Sequence, residues 1–291
     1  MTARFIRLLL ISLLVLVTLA AKAGGSFLWE AEKEGRRVFL LGSIHMGKPD
    51  FYPMPEPIEA AYRQADQVAV EADISDSDSM SSVRSKMLLP KSKPLSGLLS
   101  PVQNQQLEKV LAQFSLPRQN VEHMKPWFLA MTLSVLGMQT QGLVPQFGVD
   151  LHFLNRAKQD GKPIVELESV QNQFAILNSL TDEEAVAGLE ATIGMLARNE
   201  MKSFIEGMVT AWQNGDSERM QALLEAGQLD SPALRSMNEK LFVQRNRAMV
   251  EKIINLTGTG VPLVVVGAGH LVGQDSILSL LQARSFRVKQ Y

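Results

Sequence analysis

The chain contains no cysteine. Disulfides are excluded, and so is attachment to a membrane through a lipidated cysteine; the fold must rest on its core, which a chain of this size can bury even in an oxidising compartment. Histidine is scarce, with four in 291 residues, and Trp and Tyr number three each. Neither sign of charge dominates. The balance of 29 Lys and Arg against 30 Asp and Glu leaves a formal charge of -1, which argues against nucleic acid as a partner. Beyond the first segment no uncharged stretch reads as a membrane span, no long low-complexity linker divides the chain, and the compact HExxH metal-ligand pattern is missing. What is present is a hydrophobic content of 46%, enough for one large α/β domain or a domain carrying a helical insertion.

The first segment concerns the compartment. Arg4 and Arg7 precede a mostly apolar run from Leu8 to Leu19, and Ala21-Lys22-Ala23 supplies the small-x-small pattern of a cleavage site. Residues 1–23 therefore read as a secretory signal peptide, with an uncleaved anchor as the alternative. Loss of Arg4, Arg7 and Lys22 takes the formal charge from -1 to -4. The mature chain, from residue 24, is expected in the periplasm or secreted, without a membrane span.

A short phrase occurs twice, once near each end: Val38-Phe-Leu-Leu-Gly42-Ser-Ile-His45 and Leu263-Val-Val-Val-Gly267-Ala-Gly-His270. In each copy an apolar run stops at a glycine, and a histidine follows three residues later. A glycine allows a sharp turn on leaving a strand, and residues beyond the carboxyl ends of strands are where open α/β sheets build their sites. The pair is too few for a solenoid; it predicts one site assembled from both ends of the chain. The plainer alternative is that each histidine caps its strand.

The remaining strand signals are Ser26 to Ala31, which with Arg37 to Leu41 brackets a polar, glycine-containing turn and reads as a hairpin, then Gln67 to Glu71, Lys162 to Glu168, Val261 to Val266 and Phe286 to Lys289. Helical spacing appears in Ile58, Ala61, Tyr62 and Ala65, in Phe128, Met131, Val135 and Met138, and in Met201, Ile205, Met208, Val209 and Trp212. Thr181-Asp-Glu-Glu184 is a capping box, and the methionines in these stripes read as core filling. The expected fold is α/β: a single domain with a small central mixed sheet made by both chain ends, and helical regions over about 74–146 and 170–257 packed around it.

Glu71 closes a strand of its own and brings a carboxylate to the edge expected to hold His45 and His270. Two imidazoles and a carboxylate can bind a divalent cation with a position left open. They can equally work without metal, one histidine acting as general base and the carboxylate orienting it. A solvent-facing strand end is the alternative for Glu71. Glu168 shares an alternation with Glu166, opposite Val165 and Leu167, and precedes Gln171 and Gln173; it is either part of the site or a helix cap. Arg245 falls inside the stripe Leu234, Met237, Leu241, Met249 and Ile253, where a guanidinium needs a buried anion or a ligand unless it snorkels from the edge. Asp150 and His152 lie where a helix begins; Asp150 is expected to cap it, and both are left outside the core site.

Gly42-Ser-Ile-His45-Met-Gly47, the Val-Glu71 strand end, Gly148-Val-Asp150, Gly161-Lys-Pro-Ile with Leu-Glu168, Arg245-Asn246 and Gly267-Ala-Gly-His270-Leu-Val-Gly273 together resemble the TraB/GumN family, related to the Tiki proteins, over nearly the whole mature chain. The resemblance implies two GxxH motifs as a signature, a fold related to erythromycin esterase and the ChaN-like haem-binding proteins, and, for Tiki members, metal-dependent proteolysis. Carried onto this sequence, it puts the site at His45, Glu71 and His270, with Glu168 and Arg245 behind them. The functional expectation is an exported metal-dependent hydrolase, a peptidase, whose His45, Glu71 and His270 bind manganese, cobalt, zinc or iron, while Glu168 or Arg245 assists proton transfer or stabilises an oxyanion. Its partner would be a peptide or small-molecule substrate. The alternatives are a metal-free esterase-like hydrolase and a binding protein for a metal, haem or a peptide.

Overall fold

Apolar runs without polar alternation form strands buried on both faces, and this chain sets three of them side by side. In the computed structural model, which describes residues 25–73, 81–226 and 231–291, one six-stranded sheet has the order β4-β3-β5-β2-β1-β6. The strands are β1 (Leu28–Lys33), β2 (Arg36–Ser43), β3 (Gln67–Val70), β4 (Ile164–Glu166), β5 (Pro262–Gly267) and β6 (Arg287–Gln290). β4, β3, β5 and β2 run parallel, and β1 pairs antiparallel with β2 and β6. Val38 to Leu41, Val68 to Val70 and Leu263 to Val266 are buried throughout. The β1–β2 hairpin turns at Glu34 and Gly35, with φ of 53° and 78°, and the Gly35 amide donates to Glu32 Oε1 at 3.0 Å. Positive φ at both central residues suits the right-handed twist of the hairpin.

The sheet is thus mixed and built from both chain ends. Four parallel strands also place the carboxyl ends of β2, β3, β4 and β5 on one edge. The segment read as an export signal, residues 1–23, lies outside the described residues, as do 74–80 and 227–230 within the expected helical regions.

Helix α1 (Glu56–Gln64) links β2 to β3 and buries Ile58, Ala61 and Tyr62. Between β3 and β4 lie α2 (Pro101–Gln113), α3 (Pro126–Thr140) and α4 (Val149–Asp160). Between β4 and β5 lie α5 (Val170–Asn178), α6 (Asp182–Ala197), α7 (Met201–Gln213), α8 (Ser217–Glu225), α9 (Pro232–Asn238) and α10 (Gln244–Leu256), with a π turn at Glu239–Val243 joining α9 to α10. α11 (Ile277–Ala283) precedes β6. The capping box at Thr181 and Glu184 forms as expected, and α6 packs on α3. No described helix is long and apolar enough to cross a membrane.

The stripe Phe128, Met131, Val135 and Met138 is not the most buried face of α3, although Val135 and Met138 pack partly against the core. Trp127, Leu129, Leu133 and Gly137 are the buried positions, whereas Met131 is 47% exposed. Met131, Val135 and Met138 instead line a cleft. α3 is apolar on almost every face, so periodicity alone does not identify the face that packs.

Candidate active site

The two glycine-histidine phrases meet where β2 and β5 run side by side. Their register is staggered by one, Ser43 rather than Gly42 standing opposite Gly267. Neither glycine adopts positive φ, although the chain turns after Gly267 into a 3-10 turn over Ala268–Leu271. Gly42 lies within β2, where a methyl group would meet the Phe27 ring at 2.3 Å, and its carbonyl accepts the Trp212 indole N–H at 2.7 Å. Gly267 leaves room for the site. A methyl group there would lie 3.3 Å from both His45 Nε2 and Glu71 Oε1 and 3.7 Å from His270 Cδ2. His45, Glu71 and His270 therefore converge around one backbone position at the carboxyl edge of the sheet.

Glu71 comes directly after β3. Its Oε1 accepts the Gly267 amide at 2.7 Å, and its Oε2 accepts Arg245 Nη2 at 2.6 Å and Gln173 Nε2 at 3.2 Å. Burial opposes the charge on Glu71, but His270, His45 and Arg245 outweigh it and hold the carboxyl down at about 2. Glu71 is no solvent-facing strand end.

Glu168 departs from the expected alternation. β4 stops at Glu166, and the ladder with the β3 segment continues through Leu167 N to Val70 O at 2.8 Å and Glu168 N to Glu71 O at 2.7 Å. Leu167 and Glu168 are consequently both buried, and Ser169, not Glu168, caps α5. Arg245 clamps Glu168 with Nε to Oε1 at 3.1 Å and Oε2 at 2.9 Å, adds Nη2 to Oε2 at 2.6 Å, and anchors Nη1 on Leu241 O at 3.0 Å. The Arg245, Glu71 and Glu168 side chains are 13, 12 and 4% exposed, so a guanidinium shared by two carboxylates is largely removed from water. Burial works against the Arg245 charge, and the Glu168 hydrogen bonds and Glu71 keep it firmly protonated. Snorkelling is ruled out by these contacts.

The two histidines are held in different ways. Asn246 Nδ2 donates to Asp275 O at 2.8 Å, which turns Asn246 Oδ1 toward His270 Nδ1 at 2.5 Å. An oxygen acceptor there puts the ring proton on Nδ1 and leaves the Nε2 lone pair facing Glu71 Oε1, 3.7 Å away. Phe242, from the π turn, lies against the ring at a centroid distance of 5.2 Å. Burial outweighs the Glu71 charge and lowers the His270 pKa to about 4. His45 Nδ1, by contrast, meets Asp150 Oδ2 at 2.7 Å, and its side chain is 62% exposed. The cleft walls oppose its charge, but with so much of the ring in solvent the Asp150 and Glu71 carboxylates prevail and raise the pKa to about 9.

Asp150, expected to cap its helix and to stand outside the site, makes no capping bond and belongs to the site. Asn246 and Gln173 also join it. Gln173 stands in the polar cluster after Glu168, while Asn246 carries no signal beyond its place beside Arg245. His152 stays apart, stacked on Tyr52 at 4.4 Å.

Two imidazoles and a carboxylate are a donor set suited to a divalent cation. Among the described residues, however, no three His, Asp or Glu side chains stand as a preformed metal cluster. Above the polar edge opens a cleft of about 630 Å³ reached by His45, Glu71, Asp150, Gln173 and Arg245. A pocket at the carboxyl edge of a parallel sheet, with titratable groups at its floor and apolar walls, defines an α/β protein with an enzyme-like site.

Relatives narrow the class. The chain belongs to the TraB/PrgY/gumN family, whose model matches residues 27–290. It is 31% identical to the Escherichia coli (strain K12) protein called "Uncharacterized protein YbaP", over 90% of this chain and 96% of that one. At 22% identity it is similar to an Amphimedon queenslandica "Metalloprotease TIKI homolog", over 97% of this chain and 67% of the relative, and to Danio rerio "Metalloprotease TIKI1", over 91% and 63%. No solved structure gives a significant match. The distant Tiki relatives are named as metalloproteases.

Proposed function

We propose that this protein is an exported metal-dependent hydrolase of peptide bonds, with His45, His270 and Glu71 as the residues that hold a divalent cation. The observation that carries the reading is the facing pair of His270 Nε2 and Glu71 Oε1, 3.7 Å apart. With the ring proton fixed on Nδ1 by Asn246, two acceptors look at each other and call for something positive between them. Manganese, cobalt, zinc or iron would suit the mixed N and O donors. When bound, such an ion supplies Lewis acidity that polarises a carbonyl. The distant metalloprotease relatives support the same reaction class, and the leader-like segment at residues 1–23 supports export.

The chain's own groups do the rest. Asn246 and Asp150 orient the two rings, as partners behind ligating histidines commonly do. Glu168 is a positioning residue: committed to Arg245 at several contacts, it aims the guanidinium at Glu71 and the cleft. Arg245 Nη2 contributes positive charge beside the position of a reacting carbonyl. A second reading has its own observation, because the Asp150–His45 pair has the arrangement of a carboxylate orienting a general base. Chelator treatment separates the two. On the metal reading, peptide hydrolysis by wild type stops on chelation and returns with manganese or cobalt; hydrolysis that survives chelation and is lost in His45→Ala supports the metal-free base. Absence of turnover with any divalent cation refutes both.

A further inference from the structure

The polar floor occupies only one part of the cleft; the walls above it are apolar. They are built by Met131, Val135 and Met138 of α3, Ile176 of α5, Leu180 after it and Leu241 of the π turn. A volume of about 630 Å³ is ample for a small organic ligand. That α3 keeps an apolar stripe in contact with solvent, Met131 at 47% exposure, is the pattern of a ligand-binding surface.

What the described residues of the walls lack identifies the ligand. Their hydroxyls are already used within their own helices: Ser134 Oγ donates to Ala130 O at 2.9 Å and Thr192 Oγ1 to Gly188 O at 3.1 Å. Trp127 belongs to the lining, and its indole N–H is buried there without a partner. A peptide main chain lying along such walls would leave its N–H and C=O groups without partners, at a cost for each. An alkyl chain carries no such groups, and wall methionines adapt to its bends. The floor decides the head of the ligand. With no cation bound, Glu71 and Asp150, with Glu168 buried behind Arg245, outnumber Arg245 and His45, an excess of carboxylate that disfavours a free acid.

We propose that the cleft receives a long-chain acyl group joined through an amide or ester, with the acyl carbonyl at the His45, Glu71 and His270 floor. The placement of the carbonyl rests on the hydrolase reading; the acyl site itself does not.

The test is calorimetric titration of the metal-stripped full chain with uncharged N-hexadecanoyl-glycinamide, with hexadecanoic acid and with an unacylated heptapeptide of leucine and valine. The acyl amide is expected to bind at least about tenfold more tightly than the acid, and the peptide not to displace it. Met131→Glu and Val135→Glu should each weaken the acyl amide about tenfold or more, and Met131→Glu should do so with an unchanged unfolding midpoint, since Met131 is 47% exposed. The proposal is overturned if the peptide competes equally, if the variants bind as wild type does, or if the face proves to be covered by a second copy of the chain in solution. Turnover is read separately. Binding of the acyl amide without hydrolysis of any acylated peptide leaves the acyl site standing and refutes the hydrolase; equal cleavage of acylated and unacylated peptides refutes the acyl site and leaves the hydrolase.

Discussion

The two histidine loops share a sequence phrase and a place at the sheet edge, yet they have become chemically unlike. His270 is buried, held by the amide of Asn246 and covered by Phe242. His45 stands largely in solvent and is held by the carboxylate of Asp150. The difference arises from the segment into which each strand leads. β5 runs into a short turn under α10, while β2 runs into an open loop over the first turn of α4. A repeated motif thus brings like side chains to one place, and their neighbours then divide the roles.

Arg245 joins Glu71 to Glu168, and its removal should have the largest effect on stability. Arg245→Met leaves Glu71 and Glu168 buried without their cation, and chemical denaturation should show a loss of about 3–5 kcal/mol. A loss under about 1 kcal/mol would mean that water already screens the cluster. The partners of the rings come next. Asp150→Asn and Asn246→Ala should each reduce peptide turnover about 10- to 100-fold, the range typical of residues that orient ligating histidines. A large effect from one and none from the other would leave a single functional histidine.

Stability sharpens the contrast between the rings themselves. His45→Ala should lose no more than its solvent-screened pair with Asp150 contributes, about 1 kcal/mol or less, whereas His270→Ala strands Asn246 Oδ1 and empties a buried site, costing about 1–3 kcal/mol. Equal losses would contradict the difference in burial. The smallest effect is one of titration. By NMR of the imidazoles, His45 should lose its proton near pH 9 and His270 near pH 4. For His45, raised above its unfolded value of 6.5, the contribution to stability is present below that value and fades as pH rises toward 9. For His270, lowered from 6.5, the unfolded chain binds the extra proton, so stability falls as pH drops from 6.5 toward 4. Coincident midpoints would remove the distinction.

Much of the fold could be read because buried parallel strands leave unmistakable apolar runs: Val38 to Leu41, Val68 to Val70 and Leu263 to Val266 all lie in the sheet. The convergence of His45, Glu71 and His270 came with that, since side chains just past parallel strands share an edge. Other features depended on local departures from period. Glu168 turns inward because regular β4 ends at Glu166, two residues before the expected alternation would, and the stripe of Met131, Val135 and Met138 faces a cleft because α3 is apolar nearly all round. Asp150 and Asn246 were hidden for a different reason: a polar residue in the first turn of a helix reads as a cap unless the loop it meets, 105 residues away for His45, is known to lie above it.

The central claim is that His45, Glu71 and His270 hold one divalent cation together. Titration of the metal-stripped full chain with cobalt, followed by its visible absorption, tests it directly. One bound ion is expected in wild type, with binding lost or weakened at least about 10-fold in each of His45→Ala, Glu71→Gln and His270→Ala. Absorption that is absent in wild type, or that persists unchanged in all three variants, would contradict it.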